Sequence, residues 1–135
     1  MTKSDFIPYG RQDICQDDID AVISVLRSDF LTQGPQVPAF EAAVGAHTGA
    51  AYAIAVNSAT SALHIACIAL GVGPGDVVWT VPTTFVASAN CALYCGASVD
   101  FVDIDPIRYT MCPKALQAKL KTASKLPKAI IPDHT

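Results

Sequence analysis

Charge is what this chain has least of. Of its 135 residues only 16% are Asp, Glu, Lys or Arg. Nine Lys and Arg against twelve Asp and Glu leave a net charge of −3, which excludes a general polyanion-binding surface and with it a nucleic-acid partner. Glu41 is the sole glutamate, so neither a His-Glu-x-x-His zinc site nor the closing Glu of a calcium loop is present. No Gly-x-Ser-x-Gly nucleophile elbow occurs. No apolar run approaches the roughly 18–20 residues of a membrane span, and residues 1–11 are polar with no apolar core of a signal sequence. These absences predict a cytoplasmic protein with no membrane partner. Internal repeats and low-complexity segments are also missing.

What is there is apolar and aliphatic. Hydrophobic residues make up 51% and mean hydropathy is +0.36, too apolar for a disordered tail. A chain of this length can hide roughly two-thirds of its unfolded surface, so a true core is possible. The five cysteines (Cys15, Cys67, Cys91, Cys95, Cys112) are an odd number. Three of them fall in apolar helical stretches, which predicts reduced, buried thiols.

Helical and strand patterns alternate along the chain. Residues 13–27 read as an amphipathic helix with Ile19, Val22, Ile23 and Leu26 on one face. Residues 37–47 read as a second helix with Phe40, Ala43 and Val44 inward. Strands are expected at 52–56, 77–81, 98–102 and from 129. Helices are expected at 59–70, 85–94 and 113–124, the last with Leu116 and Leu120 inward and Lys119 and Lys121 outward. Apolar strands separated by helices of about 10–12 residues imply right-handed βαβ units and a parallel sheet covered on both faces. The fold class is therefore α/β. The chain ends as a strand has just formed, which reads as the first part of a larger protein with an incomplete sheet.

Two segments can carry chemistry. Asn57-Ser58-Ala59-Thr60-Ser61 opens an apolar helix, where free N–H groups and the positive helix end suit a phosphate. Ser58 or Thr60 can equally be no more than an N-cap. Trp79 to Asn90 passes from a strand through Pro82 into a helix, at the edge where open α/β sheets bind ligands. Phe85 there can stack on a flat ring or simply pack in the core. Gly71-Val72-Gly73-Pro74-Gly75 follows a helix and precedes a strand, the reverse of a dinucleotide fingerprint, and reads as a turn. His64 reads as a packed residue, and His47 sits at a helix end. Cys91 and Cys95, one turn apart with no second pair, do not make a zinc site. Asp100, Asp103 and Asp105 read as turn acids.

Four segments occur in order: Phe6-Ile7-Pro8-Tyr9-Gly10-Arg11-Gln12, Ser28-Asp29-Phe30-Leu31-Thr32-Gln33-Gly34-Pro35, Asn57-Ser58-Ala59-Thr60-Ser61-Ala62-Leu63 and Thr84-Phe85-Val86-Ala87-Ser88-Ala89-Asn90. With them the sequence resembles the N-terminal part of the DegT/DnrJ/EryC1/StrS sugar aminotransferases. That resemblance implies the large domain of a fold-type I transferase dependent on pyridoxal 5'-phosphate (PLP), a three-layer αβα sandwich. It implies an N-terminal helix and arm over about 1–35 and the sandwich over about 36–135. It further implies that Ser58, Ala59 and Thr60 hold the cofactor phosphate and Phe85 lies on its ring. Tyr9 and Asp29, Phe30, Leu31 and Thr32 would line the nucleotide-sugar side. The implied reaction moves an amino group, with glutamate as donor, to C4 of a UDP-linked 4-keto-6-deoxy N-acetylhexosamine, as in pseudaminic acid and polysaccharide synthesis, by a homodimer.

The resemblance also implies an Asp for the pyridine nitrogen and a Schiff-base Lys well beyond residue 135. None of Lys3, Lys114, Lys119, Lys121, Lys125 and Lys128 sits in such a motif, so the 135 residues alone are expected to be inactive, with no catalytic residue of their own. Two other outcomes stay open: another reaction of the family (3-amination or PLP-type sugar dehydration), or a non-catalytic remnant.

Overall fold

The computed structural model describes residues 10–132. They divide into two compact units, with the boundary between Ala55 and Val56.

The first unit carries two helices. Helix α1 is Gln16–Leu26, and its start is closed by the Cys15 amide donating to the Asp18 carboxylate at 2.9 Å. That bond holds the Asp18 carboxyl below the usual carboxylate range. Helix α2 is Gln36–Thr48 and ends on Gly49 in the left-handed region. Ile19, Val22, Ile23 and Leu26 share one face of α1, yet each is between 36 and 64% exposed. Phe40 and Ala43, expected inward, are exposed, and Val44 is half-buried. The spacing is right for amphipathic helices, but among the described residues no element covers these faces. The strand expected at 52–56 is also not formed. The segment is irregular there, Tyr52 and Ile54 stand open, and the Ala55 amide is taken by the Glu41 carboxylate at 2.8 Å. A strand exists only by pairing, and among the described residues this segment has no neighbour to pair with.

The second unit contains helix α3 (Ala59–Ala69), strand β1 (Val77–Thr80), helix α4 (Ala87–Tyr94), strand β2 (Ser98–Phe101), helix α5 (Pro113–Thr122) and strand β3 (Ala129–Ile130). The strands form one parallel sheet in the order β2-β1-β3. Val77 is registered with Ser98, and Val78 with Ala129. Central β1 is buried on both faces. Val78 packs with Cys67 of α3 and Cys91 and Ala92 of α4, while Trp79 packs with Val102, Met111 and, from α5, Leu116. This alternation is the period-2 rule of a strand. It makes three layers, α3 and α4 on one face and α5 on the other, the αβα sandwich expected from sequence. Burial of each large apolar side chain here stabilises by roughly 1.5–3 kcal/mol.

The last helix departs from expectation in one respect. Leu116 is half-buried as expected, but Leu120 is 37% exposed, and Lys119 turns in so that its ammonium lies 5.0 Å from the Trp79 ring centroid. A lysine stem is apolar, and a cation over an indole face is favourable, so the charge finds a partner without leaving the surface.

The turns between elements rest on left-handed glycines. Gly71 and Gly96 both have positive φ, at 68° and 76°. A methyl group at Gly96 would meet the Pro74 side chain at 3.2 Å, whereas at Gly71 it would meet nothing. Gly71→Ala is expected to cost about 1–2 kcal/mol from backbone strain alone. Gly96→Ala is expected to cost measurably more, because contact is added to strain. Urea unfolding followed by Trp79 emission compares the two.

Candidate functional site

Short connections fix where the helix ends lie. Helix α3 turns through Gly71 to Asp76 straight into the start of β1, so it runs antiparallel to the strand. Helix α4 follows β1 and runs back the same way. The N-termini of α3 and α4 therefore meet at the C-terminal edge of the parallel sheet, the edge at which such sheets bind ligands. His64 of α3 lies edge-on to Tyr94 of α4, with ring centroids 5.3 Å apart, which is a packing role.

At this edge Ser58 precedes α3 in an extended conformation. Its Oγ accepts the Ser61 amide at 3.1 Å, and its hydroxyl donates to Ser61 Oγ at 3.0 Å. Ser58 is thus an N-cap. The Ala62 amide donates to the Ser58 carbonyl, starting the helix ladder. The amides of Ala59 and Thr60 find no acceptor among the described residues. Two unanswered N–H groups at the end of an eleven-residue helix, with its partial positive charge, form an anion-binding geometry. The cap and the anion site are compatible, because the cap uses the Ser61 amide and leaves the two before it free.

Phe85 stands ahead of α4, which begins at Ala87, two residues later than the pattern suggested. Its carbonyl accepts the Ser88 amide at 2.9 Å, and its side chain is 59% exposed. It is therefore not a core residue. Beside it the hydroxyls of Thr84 and Ser88 lie 3.4 Å apart, and Ser88 is buried. This pair and Ser61 lie inside the two segments read from sequence but were given no individual role there. The signal was the density of hydroxyl residues at the starts of two apolar helices. Asp29, Phe30, Leu31 and Thr32 are exposed in the first unit, after α1, and Tyr9 falls outside the described residues. Ser58, Ala59, Thr60 and Phe85 thus share one edge of the second unit, while Asp29–Thr32 belong to the other unit.

Asp100, Asp105 and the two core thiols have structural partners. Asp105 Oδ1 accepts the Ile107 and Arg108 amides, both at 2.9 Å, with Arg108 the stronger influence, and its carboxyl lies below the usual range. Asp100 forms an ion pair with Lys119 at 2.7 Å and is likewise lowered, first by that lysine. No cluster of three metal-ligating side chains occurs among the described residues. Cys67 and Cys91 are buried in the same core cluster. Burial, and then the neighbouring Cys91, push the Cys67 thiol up to about 11.

Comparison with known proteins then bears on this edge. Residues 12–135 match the model of the DegT/DnrJ/EryC1/StrS aminotransferase family. The chain is 39% identical over 132 residues to the spore coat polysaccharide biosynthesis protein SpsC of Bacillus subtilis, covering 98% of this chain and 33% of that protein. PseC of Helicobacter pylori, an aminotransferase of pseudaminic acid biosynthesis, superimposes with a TM-score of 0.83 at 32% identity over 93% of this chain and 33% of that one. Spr1654 of Streptococcus pneumoniae, named as a sugar aminotransferase and solved in its PMP form, gives 0.81 at 32% identity over 93% and 31%. The chain spans about a third of the length of these relatives.

Two outcomes follow from the geometry. Ser58→Ala is expected to lower stability by about 1 kcal/mol through loss of the cap, and Ser58→Asp to recover most of it, in urea titrations of the two variants. For Cys67, the folded form keeps its proton after the unfolded form, at about 8.5, has lost its own. Its contribution to stability is therefore full below that value and lost as pH rises toward about 11. Cys67→Ala should flatten the alkaline limb of a stability–pH curve.

Proposed function

The chain belongs to the DegT/DnrJ/EryC1/StrS aminotransferase family, and on that footing we propose that it forms the cofactor-phosphate half of a sugar aminotransferase site that takes PLP. The Ala59 and Thr60 amides, with the Thr60 hydroxyl, hold the phosphate at the positive end of α3, and Ser58, by capping the helix through Ser61, keeps those two amides presented to it. Phe85 covers one face of the pyridine ring and keeps water from it. By the family resemblance, Tyr9, Asp29, Phe30, Leu31 and Thr32 are the residues proposed to contact the nucleotide sugar. A second copy completes the site in a homodimer.

The residues present fit the group. A phosphate needs several donors and no nearby carboxylate, and the two free amides and the Thr60 hydroxyl supply the donors. A planar heteroaromatic ring needs an exposed flat apolar surface, and Phe85 offers one. When bound, the cofactor supplies the electron sink through which an amino group passes from a donor amino acid to the ketone of the sugar. The chain's own residues bind and orient, and none is assigned a proton transfer. The relatives are about three times this length. The proposed substrate is a UDP-linked 4-keto-6-deoxy N-acetylhexosamine aminated at C4 with glutamate as donor. Likeness to PseC supports that choice of sugar.

The observation that carries this reading is the pair of unanswered amides at the sheet edge that also exposes Phe85. Pyridoxamine 5'-phosphate is the suitable probe, because it does not react with surface lysines. By calorimetric titration it is expected to bind the chain at least ~10-fold more tightly than pyridoxamine, the value of one charge-assisted hydrogen bond or more. Ala59→Pro removes one free amide at the first helical position, where proline is well tolerated and where the extended Ser58 before it already suits proline. It should cut the phosphate preference about tenfold with stability unchanged. Equal affinity for the two compounds, or no effect of Ala59→Pro, would refute the phosphate assignment.

A further inference from the structure

Strand β2 lies at one end of the sheet, and among the described residues nothing pairs with its outer side. The Ser98 amide donates to Asp76 and the Val102 amide to Thr80, so even-numbered residues face β1. The backbone groups of Val99 and Phe101 therefore face outward. An open edge of this kind is a template for pairing with another chain.

Both outward groups of Phe101 are already occupied. Its amide donates to Asp100 Oδ1 at 2.7 Å, and its carbonyl accepts from Lys119 Nζ at 2.5 Å. Lys119 and Asp100 are themselves joined at 2.7 Å. One ion pair thus closes a ring over the donor and the acceptor that a neighbouring strand would use. Lys119 is held in place from below by the buried Trp79 ring. The arrangement contributes little as a salt bridge, since Asp100 is half-exposed. Its effect is on pairing: an incoming strand would have to break all three contacts before forming its own.

We propose that the Asp100–Lys119 pair is an edge guard, which takes up both outward hydrogen-bonding groups of Phe101 and denies strand β2 to a second copy of this chain. The occupant it excludes is β2 of that copy, approaching antiparallel about a two-fold axis, the arrangement in which one open edge satisfies another. Phe101, 48% exposed, would gain cover in such a pair, so the association it prevents is a favourable one.

The test is self-association with the edge unguarded. Asp100→Val removes the acceptor for both the amide and the lysine while suiting a strand. Lys119→Met keeps a stem over Trp79 and removes the donor. In sedimentation velocity each variant is expected to show a concentration-dependent rise in mean mass, up to about twofold over wild type. The Val99 and Phe101 amides should gain protection from hydrogen exchange as mass rises. Adding Val99→Pro, which deletes an outward amide, should return the mass to the wild-type value. If Asp100→Val fails to fold by circular dichroism, Lys119→Met gives the reading by itself. Wild-type mass and wild-type exchange in the folded variants would overturn the proposal. So would a rise that Val99→Pro leaves in place, which would assign the association to another surface.

Discussion

Burial of one four-residue strand on both faces organises the second unit. Val78 and Trp79 point to opposite sides, and each is essentially without solvent contact. A strand so placed needs a layer on either side, and the sequence supplies α3 and α4 for one and α5 for the other. The small residues Ala87, Cys91 and Ala92 let α4 approach closely, while the bulk of Trp79 fills the opposite side. Thr80, the one hydroxyl residue of the strand, donates to the Ile131 carbonyl at 3.0 Å, so even its polar group is answered inside the core.

The same constraint decides where chemistry can occur. Once α3 and α4 both run antiparallel to β1, their positive ends and free amides meet at one edge by topology. The sequence spends its hydroxyl residues there, at Ser58, Thr60, Ser61, Thr84 and Ser88, and leaves Phe85 uncovered beside them. The opposite edge carries the tight glycine turns and the contact of Lys125 with the Gly75 carbonyl. Substitutions at the glycines act on the fold alone, whereas those at the helix starts act on the cap as well as on the binding proposed for this edge.

What was legible in the sequence was whatever local pattern determines. The period-2 run at Val77, the apolar helix from Ala59 and the helix from Pro113 all formed, and Ser58 took the cap position its side chain favours. An anion site with free N–H groups was legible at the hydroxyl-rich start of α3, and the cofactor-phosphate role proposed for Ser58, Ala59 and Thr60 came from the family resemblance; which two amides stay free, those of Ala59 and Thr60, needed the cap geometry. Three readings failed for non-local reasons. The segment at Tyr52 had a strand's composition without a partner, and Phe40 had a core residue's spacing without a covering layer. Lys119 was assigned outward by its charge, though its stem and a buried indole made the inward position favourable. None of these could be settled within a window of neighbouring residues.

The strand order sets an order of folding as well as an arrangement of layers. Pairing β1 with β2 joins residues 21 apart, Val77 with Ser98, whereas pairing β1 with β3 joins residues 51 apart, Val78 with Ala129. By loop closure alone the second costs about 0.8 kcal/mol more, and it gains only a two-residue strand. On the β3 side the Val77 and Trp79 carbonyls accept the Lys128 and Ile131 amides, and the Thr80 hydroxyl adds a bond to the Ile131 carbonyl. The βαβ succession of β1, α4 and β2, with α3 packed against α4, thus rests on near-neighbour contacts, and β3 is expected to dock after it.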